Sequence, residues 1–122
     1  MVRNMIPMTI TIYHNPRCGT SRRVLEAIEA RGLQPRIVEY LRTPLDRAEL
    51  ARLLAALGLR PREILRRKEA VYAELGLDDP TLDDERLLDA IVAHPVLMER
   101  PIVETPKGVR LCRPAERVEE IL

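Results

Sequence analysis

Apolar and polar residues alternate near the start of the chain and then change to a helical spacing. Over residues 9–13, threonine and tyrosine alternate with isoleucine, a pattern that predicts a β-strand. After Gly19 the apolar residues Val24 and Ile28 lie at helical spacing, which predicts a helix over residues 20–31. The polar stretch between them contains proline and therefore predicts a loop that joins the strand to the helix.

The rest of the chain divides into a helical middle and a strand-rich end. Residues 36–40 alternate like a second strand. Helical spacings then predict helices over residues 46–58, 61–67, 70–75 and 81–93, the last of them starting at the pattern Thr81-x-x-Asp84. Two strands follow, over residues 102–104 and 109–112, with a hairpin turn at 105–108 between them, and Pro114 opens a final helix.

This order of elements is a βαβ unit, a block of helices and a ββα unit. A strand–helix–strand unit of this length favours parallel strands. We therefore predict an α/β fold with a thioredoxin-like mixed sheet. It forms one domain over residues 9–122, with a helical insertion at about residues 43–98. Residues 1–8 lack the apolar run of a signal peptide and are interpreted as a disordered leader.

The composition favours a small globular protein that does not bind a partner through a large net charge. Of 122 residues 46% are hydrophobic, and 20 basic residues face 19 acidic ones, a formal net charge of +1. This balance argues against a nucleic-acid binder that relies on bulk charge. No apolar stretch approaches the ~20 residues of a membrane span. We expect a cytoplasmic monomer that binds neither membrane nor nucleic acid and keeps its thiols reduced.

Cys18 lies where the first predicted strand passes into the first predicted helix. The first backbone N–H groups of a helix have no intrahelical partner and carry partial positive charge. A thiolate at this position would be stabilised, with a pKa below the ~8.5 of a free cysteine. The alternative is a small buried apolar residue, as most free cysteines are. The polar, glycine-flanked loop favours the reactive thiol.

The residues around Cys18 exclude two kinds of thiol chemistry. Ser21 stands where a dithiol redox protein has its second cysteine, and Val24 stands where a tyrosine phosphatase has arginine. A single thiol needs an outside thiol for turnover, unless Cys112 reaches it. Ser21 is placed either to donate a hydrogen bond to the thiolate or to cap the helix.

Histidine offers one candidate for catalysis and no metal site. His14, four residues before Cys18, could assist deprotonation of the thiol or could hold the loop by hydrogen bonds. The two histidines and two cysteines of the chain do not have zinc-ligand spacing, so we assign no metal and no bound cofactor.

Arginine makes up eighteen of the twenty basic residues, and its guanidinium matches the geometry of an oxyanion. Arg66, Arg100 and Arg113 could converge on the thiolate, lower its pKa and bind a doubly charged substrate. Spacing alone does not distinguish this from three solvated surface arginines. Thioredoxin-like folds place a cis-proline opposite the active cysteine, so the Arg100–Pro101 bond is expected to be cis.

Four segments carry the most specific patterns of the chain. They are Y-H-N-P-R-C-G-T-S-R at residues 13–22, L-R-R-K at 65–68, H-P-V-L-M-E-R-P-I-V at 94–103 and T-P-K-G-V-R-L-C-R-P at 105–114. Together they resemble the glutathione- and glutaredoxin-dependent arsenate reductases, and the resemblance runs over residues 9–122.

The resemblance implies a role for each candidate residue. Cys18 would attack arsenate and form a covalent thiol–arsenate adduct, while His14 and Ser21 would tune and orient the thiolate. Glutathione would join the adduct as co-substrate, arsenic would be reduced from the +5 to the +3 state, and glutaredoxin would resolve the mixed disulfide. Three arginines would bind the oxyanion: Arg66, Arg100 and Arg113.

Two departures and two alternatives accompany this resemblance. Arg17 adds a positive charge beside the thiol, where the best-known members carry a small residue, and Arg67 could replace Arg66 by a register shift of one. One alternative function is a related thiol-dependent reductase or transferase with another substrate. The other is a redox-sensing regulator that binds RNA polymerase, a branch that typically carries C-x-x-C, so Ser21 counts against it.

Overall fold

Four short strands with helices on both sides form the described part of the molecule. The computed structural model describes residues 9–122, so the predicted leader at residues 1–8 lies outside the described residues. The elements, in chain order, are β1 (Thr11–His14), α1 (Gly19–Ala30), β2 (Arg36–Glu39), α2 (Arg47–Leu57), α3 (Ala70–Glu74), α4 (Asp84–Ala93), β3 (Ile102–Thr105) and β4 (Gly108–Leu111). Short 3₁₀ helices cover Pro61–Ile64, Pro95–Leu97 and Ala115–Glu120.

The sheet has the strand order β2-β1-β3-β4. Strand β1 pairs in parallel with β2, so that Thr11 lies opposite Arg36. On its other side β1 pairs antiparallel with β3, and β3 pairs antiparallel with β4. The βαβ unit followed by a ββ hairpin confirms the predicted α/β fold with a thioredoxin-like mixed sheet.

Both faces of the sheet are covered, because alternate residues of β1 point to opposite sides. Ile12 belongs to a cluster with Val24 and Ile28 of α1, on the face that the C-terminal 3₁₀ helix also covers. Tyr13 belongs to the larger cluster that the helices between β2 and β3 build on the other face. Each such fully buried apolar side chain contributes about 1.5–3 kcal/mol to folding.

The helical middle of the chain differs from the prediction at two places. Helix α4 does not start at Thr81, because the Asp83 side chain caps it, accepting from the Arg86 N–H at 2.9 Å. The predicted helix over 61–67 is only the 3₁₀ helix Pro61–Ile64. It ends there because the backbone of Leu65 adopts an extended conformation and forms an antiparallel bridge with Met98.

The end of the chain matches the predicted hairpin and contains two cis-prolines. Thr105 pairs with Gly108 across the turn, and Gly108 has φ 147°, a conformation that favours glycine. The expected cis bond at Arg100–Pro101 is present, and Arg113–Pro114 is cis as well. The final helix is a 3₁₀ helix rather than an α-helix. None of the helices within residues 9–122 is long and apolar enough to cross a membrane.

Candidate active site

Cys18 is the N-cap residue of α1, and it lies at the passage from strand to helix that the sequence pattern predicted. Its N–H donates to the Asn15 carbonyl at 3.0 Å, which closes the loop after β1, and its own carbonyl accepts from the Arg22 N–H at 3.0 Å. The residue is 8% exposed. The sulfur therefore lies beside the N–H groups that open a twelve-residue helix, where negative charge is stabilised.

The pKa of the Cys18 thiol is about 7. Burial raises this pKa, but hydrogen bonds from Arg100, from the Ser21 backbone N–H and from Arg113, together with the Arg100 charge, outweigh burial. A substantial fraction of the molecules consequently carries a thiolate at neutral pH. Cys18 thus has the ionisation of a nucleophile rather than that of a buried structural thiol.

Two of the three predicted arginines lie at the sulfur. Arg113 Nη1 is 3.7 Å from Cys18 Sγ and also donates to the Arg100 carbonyl at 3.1 Å, which ties the two arginine segments together. The Nε of Arg100 is buried and has no hydrogen-bond partner among the described residues. A buried guanidinium donor without a partner, next to a second guanidinium, is suited to an anionic ligand.

Arg66 joins this group through a carboxylate. Its Nη1 donates to Glu99 Oε1 at 2.6 Å, and the same carboxylate lies 3.9 Å from Arg113 Nε. Arg66 also donates to Glu69 at 3.0 Å. The neighbouring Arg67 is exposed, and of the two arginines considered from the sequence it is Arg66 that shares the Glu99 carboxylate with Arg113.

His14 and Ser21 contact each other rather than forming a direct relay to the sulfur. His14 Nδ1 lies 2.6 Å from the Ser21 hydroxyl, which also accepts from the Asn15 N–H at 3.1 Å. All three residues are buried, and burial lowers the pKa of His14, which favours the neutral ring. The hydroxyl does not cap the helix. The pair therefore fixes the loop after β1 to the first turn of α1.

Two residues at the site were missed by sequence reasoning. Tyr40, directly after β2, is 1% exposed, and its hydroxyl has no hydrogen-bond partner within residues 9–122. Burial raises its pKa to about 12, while the charges of Arg100 and Arg66 lower it. Glu99 is the second. Tyr40 lies near Arg66 and Arg100, and Glu99 contacts Arg66 and Arg113; nothing in the sequence around either residue pointed to these arginines.

Cys112 is not placed to act as a second thiol. It is fully buried in the cluster beneath α1, and burial raises its pKa to about 12. Both cysteines are free. Across the described residues, His, Cys, Asp and Glu side chains form no group that could hold a metal ion.

Comparisons with known proteins identify relatives over nearly the whole chain. The family model described as the ArsC family matches residues 13–121. The chain is 55% identical over 115 residues to the arsenate reductase of Rhizobium meliloti (strain 1021), covering 94% of this chain and 82% of that protein. It is 53% identical over 113 residues to the arsenate reductase of Escherichia coli (strain K12), covering 93% and 80%.

A solved structure agrees with these sequence matches. The arsenate reductase from Vibrio cholerae superposes with a TM-score of 0.91 at 44% identity, covering 96% of this chain and 100% of that one. The residues that the family model matches, 13–121, include the cysteine loop and the two arginine segments. The chain belongs to the ArsC family.

Proposed function

We propose that this chain is an arsenate reductase that uses Cys18 as its nucleophile and outside thiols as reductants. The observation that carries the proposal is a cysteine at a helix N-terminus with a pKa of about 7 and a guanidinium 3.7 Å from its sulfur. Relatives more than 50% identical bear the name arsenate reductase, which supports arsenate as the substrate.

The residues around the sulfur suit the first chemical step. Arsenate is a tetrahedral oxyanion, and Arg100 and Arg113 offer N–H donors beside the thiolate that would hold its oxygens by charge-assisted hydrogen bonds. Bound in this way, the arsenic atom would lie within reach of Sγ. Attack by the thiolate forms an S–As bond, and one arsenate oxygen leaves as water. Arg66 would complete the oxyanion site when its carboxylate partners release it.

The reducing electrons must come from outside the chain, because Cys112 is buried and its thiol stays protonated. Glutathione would bond to the arsenic of the adduct, displacing a second oxygen as water, and glutaredoxin would then take the glutathionyl group as a mixed disulfide while the electron pair of that S–As bond remains on arsenic. Water would hydrolyse the remaining bond between arsenic and the Cys18 sulfur, which releases arsenite and frees the thiol. Overall, one arsenate and two thiols give one arsenite, one disulfide and one water, so arsenic gains the two electrons that the thiols lose.

In this proposal His14 and Ser21 are positioning residues. The Ser21 backbone N–H hydrogen-bonds the sulfur, and the Ser21 side chain is held by His14 and by the loop. The buried imidazole contacts the Ser21 hydroxyl and not the sulfur, which supports this role better than it supports proton abstraction from the thiol.

Arsenite formation with glutathione and glutaredoxin tests the proposal. Arsenite is measured directly for the wild type, for Cys18→Ser and for Cys112→Ser. The wild type and Cys112→Ser should form arsenite at similar rates, and Cys18→Ser should form none. Absence of arsenite from the wild type, or its retention in Cys18→Ser, would overturn the assignment.

A further inference from the structure

Glu99 places a carboxylate between two of the three arginines at the site. Its Oε1 accepts from Arg66 Nη1 at 2.6 Å and lies 3.9 Å from Arg113 Nε. The glutamate side chain is 28% exposed and that of Arg66 is 17% exposed. This is a short, partly desolvated contact, unlike the solvent-exposed ion pairs elsewhere on the surface.

The backbone fixes Glu99 in this position. The segments around Leu65 and Met98 form an antiparallel bridge. In it the Arg66 N–H donates to the Leu97 carbonyl and the Glu99 N–H donates to the Ile64 carbonyl, each at 2.8 Å. Main-chain hydrogen bonds therefore hold Glu99 beside Arg66. From this position its carboxylate contacts the guanidiniums of Arg66 and Arg113.

A carboxylate and a tetrahedral oxyanion compete for the same guanidinium N–H groups, because both are negatively charged and each can offer two oxygens to the planar fork of N–H donors. An arsenate that binds Arg66 and Arg113 together has to displace Glu99 from them. Glu99 also offsets part of the positive charge of Arg113, the guanidinium that hydrogen-bonds the Cys18 sulfur.

We infer that Glu99 is an internal competitor of the oxyanion, a residue that sets how tightly the site binds its substrate and how strongly the arginines activate Cys18. The inference rests on the proposed function for the identity of the substrate. Its physical content is independent of arsenate reduction, because any tetrahedral dianion must displace the same carboxylate.

The test compares Glu99→Gln with the wild type by the rate at which iodoacetamide alkylates Cys18. Inorganic phosphate is a tetrahedral anion that is not reduced. When it occupies the oxyanion site, it should protect the Cys18 thiol from alkylation. Glu99→Gln should need about tenfold less phosphate for half protection, the effect of freeing one charge-assisted hydrogen bond for the anion. The alkylation pH profile should shift to a Cys18 pKa below that of the wild type.

Two other glutamates provide the controls. Glu69→Gln removes a carboxylate that contacts Arg66 and should give a smaller gain in phosphate protection. Glu119→Gln removes a carboxylate paired with Arg31, at the opposite end of α1 from Cys18, and should change neither readout. A purely structural role for Glu99 would move the melting temperature without moving the alkylation pH profile.

Unchanged phosphate protection together with an unchanged Cys18 pKa in Glu99→Gln overturns the inference. Weaker protection overturns it too, since it would mean that Glu99 positions the arginines for the anion rather than competing with it. Glu99→Asn repeats the comparison with a smaller neutral side chain if the glutamine variant does not fold. Because phosphate is the probe, the result stands whether or not the wild type reduces arsenate.

Discussion

Replacing Arg113 by alanine should raise the pKa of Cys18 from about 7 to about 8. Arg113 Nη1 is 3.7 Å from the sulfur. Two unit charges at that distance interact by about 1 kcal/mol in water and about 4.5 kcal/mol at an effective dielectric constant of ~20. The Arg113 side chain is 37% exposed and lies near Glu99, so the lower part of this range applies. A loss of about 1.4 kcal/mol corresponds to a tenfold change in the ionisation constant.

The assay is the pH dependence of alkylation by iodoacetamide, measured in the Cys112→Ser background so that only Cys18 reacts. At pH 7 the thiolate fraction should fall from about half to about a tenth, and the alkylation rate should fall about fivefold. Arg31→Ala, at the far end of α1, removes the same charge and should leave the profile unchanged. A pKa of about 7 in Arg113→Ala would refute the claim that this arginine activates the thiol.

Three further predictions concern the residues that hold the site. Ser21→Ala should lower the free energy of unfolding by about 1–3 kcal/mol in denaturant titrations, because it leaves the buried Asn15 N–H without its acceptor. The folded-state pKa of His14 is lowered, so its contribution to stability is present above pH ~6.5 and is lost as pH falls, and His14→Gln should flatten that part of the stability–pH curve. Cys112→Ser should destabilise by about 1–3 kcal/mol, since a hydroxyl replaces a thiol in an apolar cluster, yet leave arsenite formation intact.

A control for Ser21→Ala comes from the same chain. Thr20→Ala removes a less buried hydroxyl one residue before Ser21 and should cost clearly less stability than Ser21→Ala. Equal costs would contradict the role given to the Ser21 hydroxyl. An unchanged stability–pH curve in His14→Gln would mean that carboxyl groups alone set the acid limit. Loss of arsenite formation in Cys112→Ser would make the second cysteine part of the thiol pathway.

Local patterns were enough to predict the cysteine end of the site. The strand–loop–helix at residues 11–30 is determined by alternation, by Asn15-Pro16 and by helical spacing, all within a few residues of Cys18. The hairpin over Thr105 to Gly108 is also local, because proline and glycine fix the turn. In such elements the residues that determine the structure lie next to one another in the sequence. The predicted strand–loop–helix and hairpin are therefore confirmed.

The arginine end of the site depends on contacts between distant segments. Arg66 reaches the site because the helix ends at Ile64 and Leu65 pairs with Met98. This is a long-range pairing, which the periodicity of apolar residues does not encode. The role of Arg66 was therefore implied only by the resemblance to a family. Glu99 went unnoticed for the same reason, since its partners are Arg66, thirty-three residues away, and Arg113.

Short-range competition between caps explains the remaining error. Thr81 carries the side chain expected of a helix start, but its N–H and hydroxyl are both bound to Asp79 in a turn. Asp83, two residues later, offers a carboxylate that accepts the Arg86 N–H and caps α4 instead. The turn at Asp79 therefore decides between the two candidate caps, and the sequence pattern did not resolve the geometry of that turn.

The most direct test of Cys18 as the nucleophile is to locate the covalent intermediate. The wild type is given arsenate and glutathione without glutaredoxin, and the intact chain and its peptides are analysed by mass spectrometry. We predict an arsenic-containing adduct on the peptide that holds Cys18, absent without arsenate and absent from Cys18→Ser. An adduct on Cys112, or one that persists in Cys18→Ser, would contradict the account.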